Sequence, residues 1–262
     1  MRDRNATTGM VSLVGAGPGS PDLITVRGLD RVRAADVVVF DALIHPDLLA
    51  AARSDAEMVY AGKRGYCVGS TLQETINDLL VHRARQGLRV VRLKGGDPCV
   101  FGRGGEEAEY LAERGVSFEI VPGVTTAVGA CAAASIPLTH RDVGQAVALV
   151  TGHFDPDSSD CTIDWVALAG MSTVVVYMGL RHLDRIAAKL IAAGLPADTP
   201  AAVVARATLP DQVVIDAPLE DLAARVEVAG VTAPAVIVVG ESVRVRARLL
   251  SLSTSAAQGV LA

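Results

Sequence analysis

The sequence predicts an α/β protein built in two parts, and three observations carry that reading. Half of the 262 residues are apolar but only 3% are aromatic. The core must therefore come from Ala, Val, Leu and Ile, a composition that suits a parallel sheet covered by alanine-rich helices. Short β-branched runs alternate with amphipathic stretches, and the runs repeatedly end in glycine turns. A proline and a charged segment interrupt the alternation between about Pro137 and Gln145. That places a first α/β domain over 11–140 and a second over 145–246, with flexible tails at 1–10 and 247–262.

Taken in order, Val11 to Val14 is a strand that opens into the turn GAGPGSPD. Thr25 can cap a helix that carries Val26, Leu29, Val32 and Ala35 at helical spacing, with Gly28 suggesting close packing. Asp36 to Phe40 is the second strand, with Asp41 at its carboxyl end, and Met58 to Ala61 the third, ending at Gly62, Lys63 and Arg64. Ile76, Leu79, Leu80 and Ala84 mark a helix. Val90, Val91 and Leu93 form a strand that Gly95, Gly96 and Pro98 stop, and Glu106, Glu107 and Glu109 lead into the next helix, acids first, as the helix dipole favours. Phe118 to Val121 is a strand, and Thr125 or Thr126 can cap the alanine-rich helix that follows. Further strands are expected at Ala146 to Val150, Thr173 to Met178, Pro200 to Ala205, Gln212 to Ile215 and Ala235 to Gly240, with helices near Trp165 and over Leu183 to Ile191.

Charge and composition exclude several function classes. A formal net charge of -5 argues against a general nucleic-acid binder, whose affinity comes from phosphate neutralisation. Cys67, Cys99, Cys131 and Cys161 are scattered without paired spacing, so neither a zinc site nor a disulfide framework is predicted, and a reducing cytoplasm fits best. The opening MRDRNATTG lacks the apolar core of a signal peptide, and no apolar run approaches membrane-spanning length. A soluble, cytoplasmic protein is expected.

The chemistry should lie at strand ends. The segment from Gly95 to Gly105 holds five glycines, an entropically costly loop that makes sense where a ligand presses against bare backbone at the carboxyl end of a strand. A dinucleotide fingerprint after the first strand would want glycine at Ser20, and Pro18 removes a donor, so a dinucleotide-dependent oxidoreductase is a weakly supported alternative. Asp41 is either a partly desolvated carboxylate facing a ligand, its pKa raised, or a loop acid that satisfies backbone donors. Cys99 reads as core filler rather than as a nucleophile.

Together these segments resemble the uroporphyrinogen-III C-methyltransferases, within the tetrapyrrole methylases. The resemblance rests on VSLVGAGPGSPDLITVRGL, AGKR, VRLKGGDPCVFGRGGEEAEYLAERG, VPGVTTAVGACAAASIPLTHRD and VVVYMGL, and spans roughly Val11 to Arg246. It implies the two-domain tetrapyrrole methylase fold, with S-adenosylmethionine as methyl donor in the interdomain cleft, and a homodimer. It places donor contacts at Pro18, Gly95, Gly96, Asp97, Val100, Thr125, Thr126, Met178 and Ala207, largely through backbone. It implies uroporphyrinogen III as acceptor, whose eight carboxylates need basic partners, for which Arg64, Arg103, His140 and Arg141 lie on the right loops. Asp41 matches the position of a general base and Lys63 that of a proton donor. Two methyl transfers, at C-2 and C-7, would yield precorrin-2 for sirohaem or cobalamin, with no metal required. No segment is left for dehydrogenation or iron insertion, so methylation alone is expected. The chain departs from the family pattern at Cys99, where phenylalanine is common, at ARAT, and in a segment after GKR about one residue longer than usual. A methylase of a later precorrin is the nearer alternative.

Overall fold

The computed structural model describes residues 9–62 and 73–259. The chain divides after Thr126 into two compact units. Both are α/β, as the composition predicts.

The first unit is built from β1 (Met10–Gly15), α1 (Val26–Ala34), β2 (Val37–Phe40), α2 (Pro46–Ala50), β3 (Glu57–Tyr60), α3 (Gln73–Arg85), β4 (Val90–Lys94), α4 (Gly104–Glu113) and β5 (Ser117–Val121). Its five strands lie in the order β3-β2-β4-β1-β5 and all run parallel. Period-two alternation splits the strand side chains between the two faces. Leu13, Val39 and Val90 pack with Ile76, Leu80 and Leu111 of α3 and α4, while Val14, Val38, Val91 and Leu93 pack with Val32 of α1 and Leu48 of α2. Thr25 caps α1 as predicted, its hydroxyl accepting from the Gly28 N–H at 3.1 Å. The order has a consequence for function. From β1 the chain crosses toward β2 by way of α1 on one face, and from the adjacent β4 it crosses toward β5 by way of α4 on the other. The loops that follow β1 and β4 therefore part at a topological switch point, the place where open parallel sheets take ligands.

The second unit opens within α5 (Thr126–Ala133) and contains β6 (Val147–Thr151), α6 (Trp165–Ala169), β7 (Thr173–Tyr177), α7 (Leu183–Ala192), β8 (Pro200–Ala205), β9 (Val213–Pro218), α8 (Leu219–Val228), β10 (Ala235–Val239) and α9 (Ser242–Gly259). Its order is β6-β7-β10-β8-β9. Here the parallel expectation fails. β6 and β7 are parallel, but β10 runs antiparallel to both β7 and β8, and β9 antiparallel to β8. Connection length explains β9, because residues 206–212 are too few for the crossover a parallel neighbour requires. One face is covered by α6, α7 and α8 through Leu168, Ile186, Leu190, Leu222 and Val226. α9 runs on beyond Arg246 to Gly259, into the stretch expected as a flexible tail.

Candidate active site

The loops after β1, β4 and β5 meet as bare backbone in the first unit. Gly17 and Gly96 exchange two hydrogen bonds, Gly17 N–H to Gly96 O at 3.2 Å and Gly96 N–H to Gly17 O at 2.7 Å. A Cβ on Gly123 would stand 2.2 Å from the Gly96 oxygen and 2.8 Å from the Gly15 Cα, so only glycine permits this approach. Gly17 and Gly96 also hold positive φ, +85° and +68°, which glycine adopts without strain.

Two carboxylates secure the junction. Asp97 accepts from the Cys99 N–H at 2.8 Å and, through its other oxygen, from the Gly123 N–H at 3.0 Å, which ties the β4 loop to the β5 loop. Asp41 accepts from the Leu43 N–H at 2.9 Å and, at the 3.5 Å limit, from the Gly95 N–H, which ties the β2 end to the β4 loop. Of the two readings of Asp41 from sequence, the acid that satisfies backbone donors is thus realised. It remains half-buried, and two accepted bonds leave part of a carboxylate's roughly four lone-pair sites open.

This arrangement decides what the junction can bind. A phosphate cradle needs free backbone N–H groups. The amides of Gly17, Gly96, Cys99 and Gly123 already donate to protein oxygens, and Pro18 has none. The dinucleotide alternative loses its support on that ground. The Gly17 and Gly96 carbonyls each accept one of these bonds and keep a second lone pair, and Asp41 and Asp97 keep open sites of their own. The loops thus offer hydrogen-bond acceptors and close backbone contact, a set suited to a cationic, amino-acid-bearing ligand.

Beneath the loops lies a feature the sequence reading missed. Arg92 and Lys94 alternate with apolar residues on β4 and face α3 and α4, where each is at least nine-tenths buried. Glu107 of α4 is fully buried and accepts at one oxygen, Oε1, from Arg92 Nε at 3.2 Å, Lys94 Nζ at 2.9 Å and Gln73 Nε2 at 3.0 Å. Gln73 also donates to Asn77 Oδ1 at 3.1 Å. The other Glu107 oxygen, Oε2, has no partner among the described residues. Burial, with the neighbouring Arg92 charge, lowers the Lys94 pKa from its ordinary value, against the pull of Glu107. Two cations two residues apart inside an apolar strand, with a glutamate in the first turns of the next helix, were the available signal.

Backbone strain gathers around several predicted residues. Among the described residues six non-glycine residues hold positive φ: Phe101, Arg103, Ser135, Met178, Arg206 and Thr208. Left-handed backbone is costly outside glycine and concentrates at functional sites. Met178 and Arg103 are themselves predicted site residues, Phe101 adjoins Val100, and Arg206 and Thr208 flank Ala207. Arg103 precedes α4 with φ 60° and sends its exposed guanidinium back to Glu106 in two bonds of 2.9 and 2.6 Å, which raise its pKa. Such an exposed pair is weak and exchangeable.

In the first unit the structure brings together Pro18, Asp41, Gly95, Gly96 and Asp97, with Thr126 against Gly96, where its hydroxyl lies 3.4 Å from an ideal Cβ. Val100 and Thr125 adjoin these loops, half-buried. In the second unit Met178 follows β7 and Ala207 follows β8, strands that point the same way because β10 is antiparallel to both. His140 and Arg141 are not on that edge. They precede β6, where His140 pairs with Gly144, and Gly144 packs on Ser172 just ahead of β7. Lys63 and Arg64 lie outside the described residues. Cys99, expected as core filler, is exposed, its N–H held by Asp97; among the described residues Cys131 is the buried thiol, pushed up to about 12 by burial.

The sequence pattern of the tetrapyrrole (corrin/porphyrin) methylases matches residues 10–223, and the chain belongs to that family. Siroheme synthase 2 of Halorhodospira halophila is 51% identical over 247 residues, which are 94% of this chain and 49% of that protein. The chain spans about half the length of the curated relatives it matches. Solved structures cover it more evenly. The uroporphyrin-III C-methyltransferase of Thermus thermophilus has a TM-score of 0.78 and 41% identity over 93% of this chain and 97% of its own. The same enzyme complexed with S-adenyl homocysteine gives 0.76 and 39%, over 90% and 94%. A cobalt precorrin-4 methyltransferase gives 0.80 and 31%, over 93% and 99%.

Proposed function

We propose that this chain transfers methyl groups from S-adenosylmethionine to C-2 and C-7 of uroporphyrinogen III, giving precorrin-2 for sirohaem or cobalamin. The observation that carries this reading is the glycine junction, with its amides occupied and its carbonyls and carboxylates presented. It suits a sulfonium donor and not a nucleotide phosphate. The greater identity to the uroporphyrin-III methyltransferase, 41% against 31% for the precorrin-4 enzyme, favours the earlier acceptor.

The donor supplies an electrophilic methyl group, and the acceptor's electron-rich pyrrole carbon needs little activation. The protein's work is to hold reacting atoms in line and to manage one proton for each transfer. Gly95, Gly96 and Asp97, with Pro18, Val100, Thr125 and Thr126, hold the donor through backbone; Met178 and Ala207 add contacts. Asp41, fixed by the Leu43 and Gly95 amides, takes the one proton the macrocycle loses for each methyl gained, from an atom other than the methylated carbon, which carries a side chain and no hydrogen. Lys63, as proton donor, only relocates a proton between macrocycle atoms. Arg64, Arg103, His140 and Arg141 bind acceptor carboxylates, Arg103 by exchanging its Glu106 pairing for a substrate carboxylate. Charge-assisted bonds of this kind contribute about 1.5–3 kcal/mol each. The protein works in the cytoplasm as a homodimer, without a metal. No helix among the described residues is long and apolar enough to cross a membrane.

Anaerobic incubation with uroporphyrinogen III and methyl-labelled S-adenosylmethionine, followed by mass analysis of the tetrapyrrole, tests the reading. Two added methyl groups are expected, and an Asp41→Ala protein should bind donor while losing turnover by about 100-fold or more. Tight donor binding with no methyl transferred to this acceptor would overturn the assignment in favour of a later precorrin.

A further inference from the structure

The buried charges under the junction call for a reason beyond stability. Replacing such a cluster with well-packed apolar side chains is commonly neutral or stabilising, because desolvation offsets the Coulomb attraction. Its connections supply the reason. Arg92 reaches past Glu107 to the carbonyl oxygens of Val39 at 3.5 Å and Leu93 at 3.3 Å, the first near the end of β2 and the second near the end of β4. Lys94 is the last residue of β4, and its carbonyl receives the Ala16 N–H at 2.8 Å from the β1 loop. Gln73 opens α3, and Glu107 lies in the first turns of α4. One carboxylate oxygen thus binds the ends of the two strands that carry Asp41 and Gly95–Asp97 to the starts of two helices.

We infer that Glu107 is a positioning residue for methyl transfer: through Arg92 and Lys94 it fixes the carboxyl ends of β2 and β4, and so sets Asp41 relative to the Gly95–Asp97 loop. Its fully buried Oε2, without a partner among the described residues, accords with a group retained for the geometry of its other oxygen. The inference rests on the methyl-transfer reading only where turnover is measured.

Two variants test it. Glu107→Asp keeps the charge balance and shortens the reach; Arg92→Met/Lys94→Met/Glu107→Leu replaces the cluster with apolar bulk. Both are measured for thermal midpoint, for turnover and KM of each substrate, and for amide hydrogen exchange at Leu43, Gly95 and Cys99. The expected result is an apolar variant with a midpoint at or above that of the parent, faster exchange at Leu43 and Gly95, and kcat lowered on the order of 100-fold with a smaller change in KM. Glu107→Asp should remain folded and fail to restore kcat. A folded variant of either kind with parental exchange and parental kcat overturns the inference. Should the parent itself transfer no methyl group, the methyl-transfer reading falls, and the exchange rates still decide whether Glu107 holds the two strand ends.

Discussion

The two units gather their loops in different ways. In the first, five parallel strands bring every carboxyl end to one edge, and the loops there are joined by backbone hydrogen bonds, by Asp41 and Asp97, and by glycines in contact. In the second, β6, β7 and β8 share a direction while β9 and β10 reverse it, so fewer loops reach the corresponding edge. Those loops have cross-links of their own, Arg206 N–H to the Pro234 carbonyl at 3.0 Å and Thr208 N–H to Gln212 Oε1 at 2.8 Å, and hold Met178, Arg206 and Thr208 in left-handed backbone, against Phe101 and Arg103 in the first unit. A parallel sheet can build a site by convergence, whereas a mixed sheet with fewer loops at that edge leans more on individual left-handed residues.

Gly123→Ala should break the first device most severely. The added methyl meets backbone at 2.2 Å and 2.8 Å, so the β4 and β5 loops must separate. Overpacking of that kind costs about 1–3 kcal/mol, and displacing the donor loop should lower turnover by about 100-fold. Gly105→Ala is the matched control, because a Cβ there meets nothing within 4 Å. It should stabilise α4 by roughly 0.5–1 kcal/mol and leave turnover unchanged. Thermal unfolding and steady-state rates of the two proteins decide the matter, and equal behaviour would mean that the glycine contact is incidental.

Met178→Gly addresses the second device, with a smaller effect. Left-handed backbone costs a residue bearing a Cβ about 1–2 kcal/mol, and glycine's added freedom in the unfolded chain returns part of this. The side chain is 49% exposed, so little packing is lost. The expected outcome is a stability gain of up to about 1 kcal/mol, together with weaker binding of S-adenosylhomocysteine by calorimetry. A loss of stability would show that Met178 is held by its own packing and that strain is not what the second unit uses.

The contrast between the units also separates what sequence discloses from what it hides. All ten strands of the described residues are legible, because β-branched runs bounded by glycine and proline are a local signal. Their directions are not. β9 and β10 read like any other strand, and only connection length and packing turned them. α2, with five residues, is too short for periodicity to register. α8 carries a signal of its own, acids at Glu220 and Asp221 followed by Leu222 and Val226. At the site, GGDP and the β1 turn were legible because glycine and proline announce special backbone. The work of Asp97 was not, since its partners Cys99 and Gly123 are identified only by tertiary approach. Arg92 and Lys94 are hard to read for a general reason: a charged residue in an apolar run signals a buried partner, and the partner, Glu107, has the sequence position of a residue serving only the helix dipole.

The smallest effect concerns acid, and it too sets the units apart. At the amino ends of β2 and β4, Asp36 accepts from the Arg89 backbone N–H at 2.9 Å and pairs with the Arg89 and Arg53 guanidinium groups at 2.8 and 2.9 Å. The Arg89 side-chain and backbone bonds hold its pKa well below the ordinary 3.8. In the second unit the Asp155 pKa is lowered by its pairing with Arg185 and the Asp157 N–H, but Asp155 is more exposed than Asp36. For both acids the unfolded chain binds its proton at higher pH than the folded chain. Their contribution is therefore complete above the ordinary value and fades as pH falls below it. Urea unfolding between about pH 5 and pH 2 should show stability falling with acid. Asp36→Asn should lower stability near neutrality and flatten that fall, with the two curves converging at the acid end, while Asp155→Asn changes the slope less. Parallel curves for parent and Asp36→Asn would place the acid-sensitive contacts elsewhere in the first unit, with Glu119, lowered by Arg31, the next group to replace.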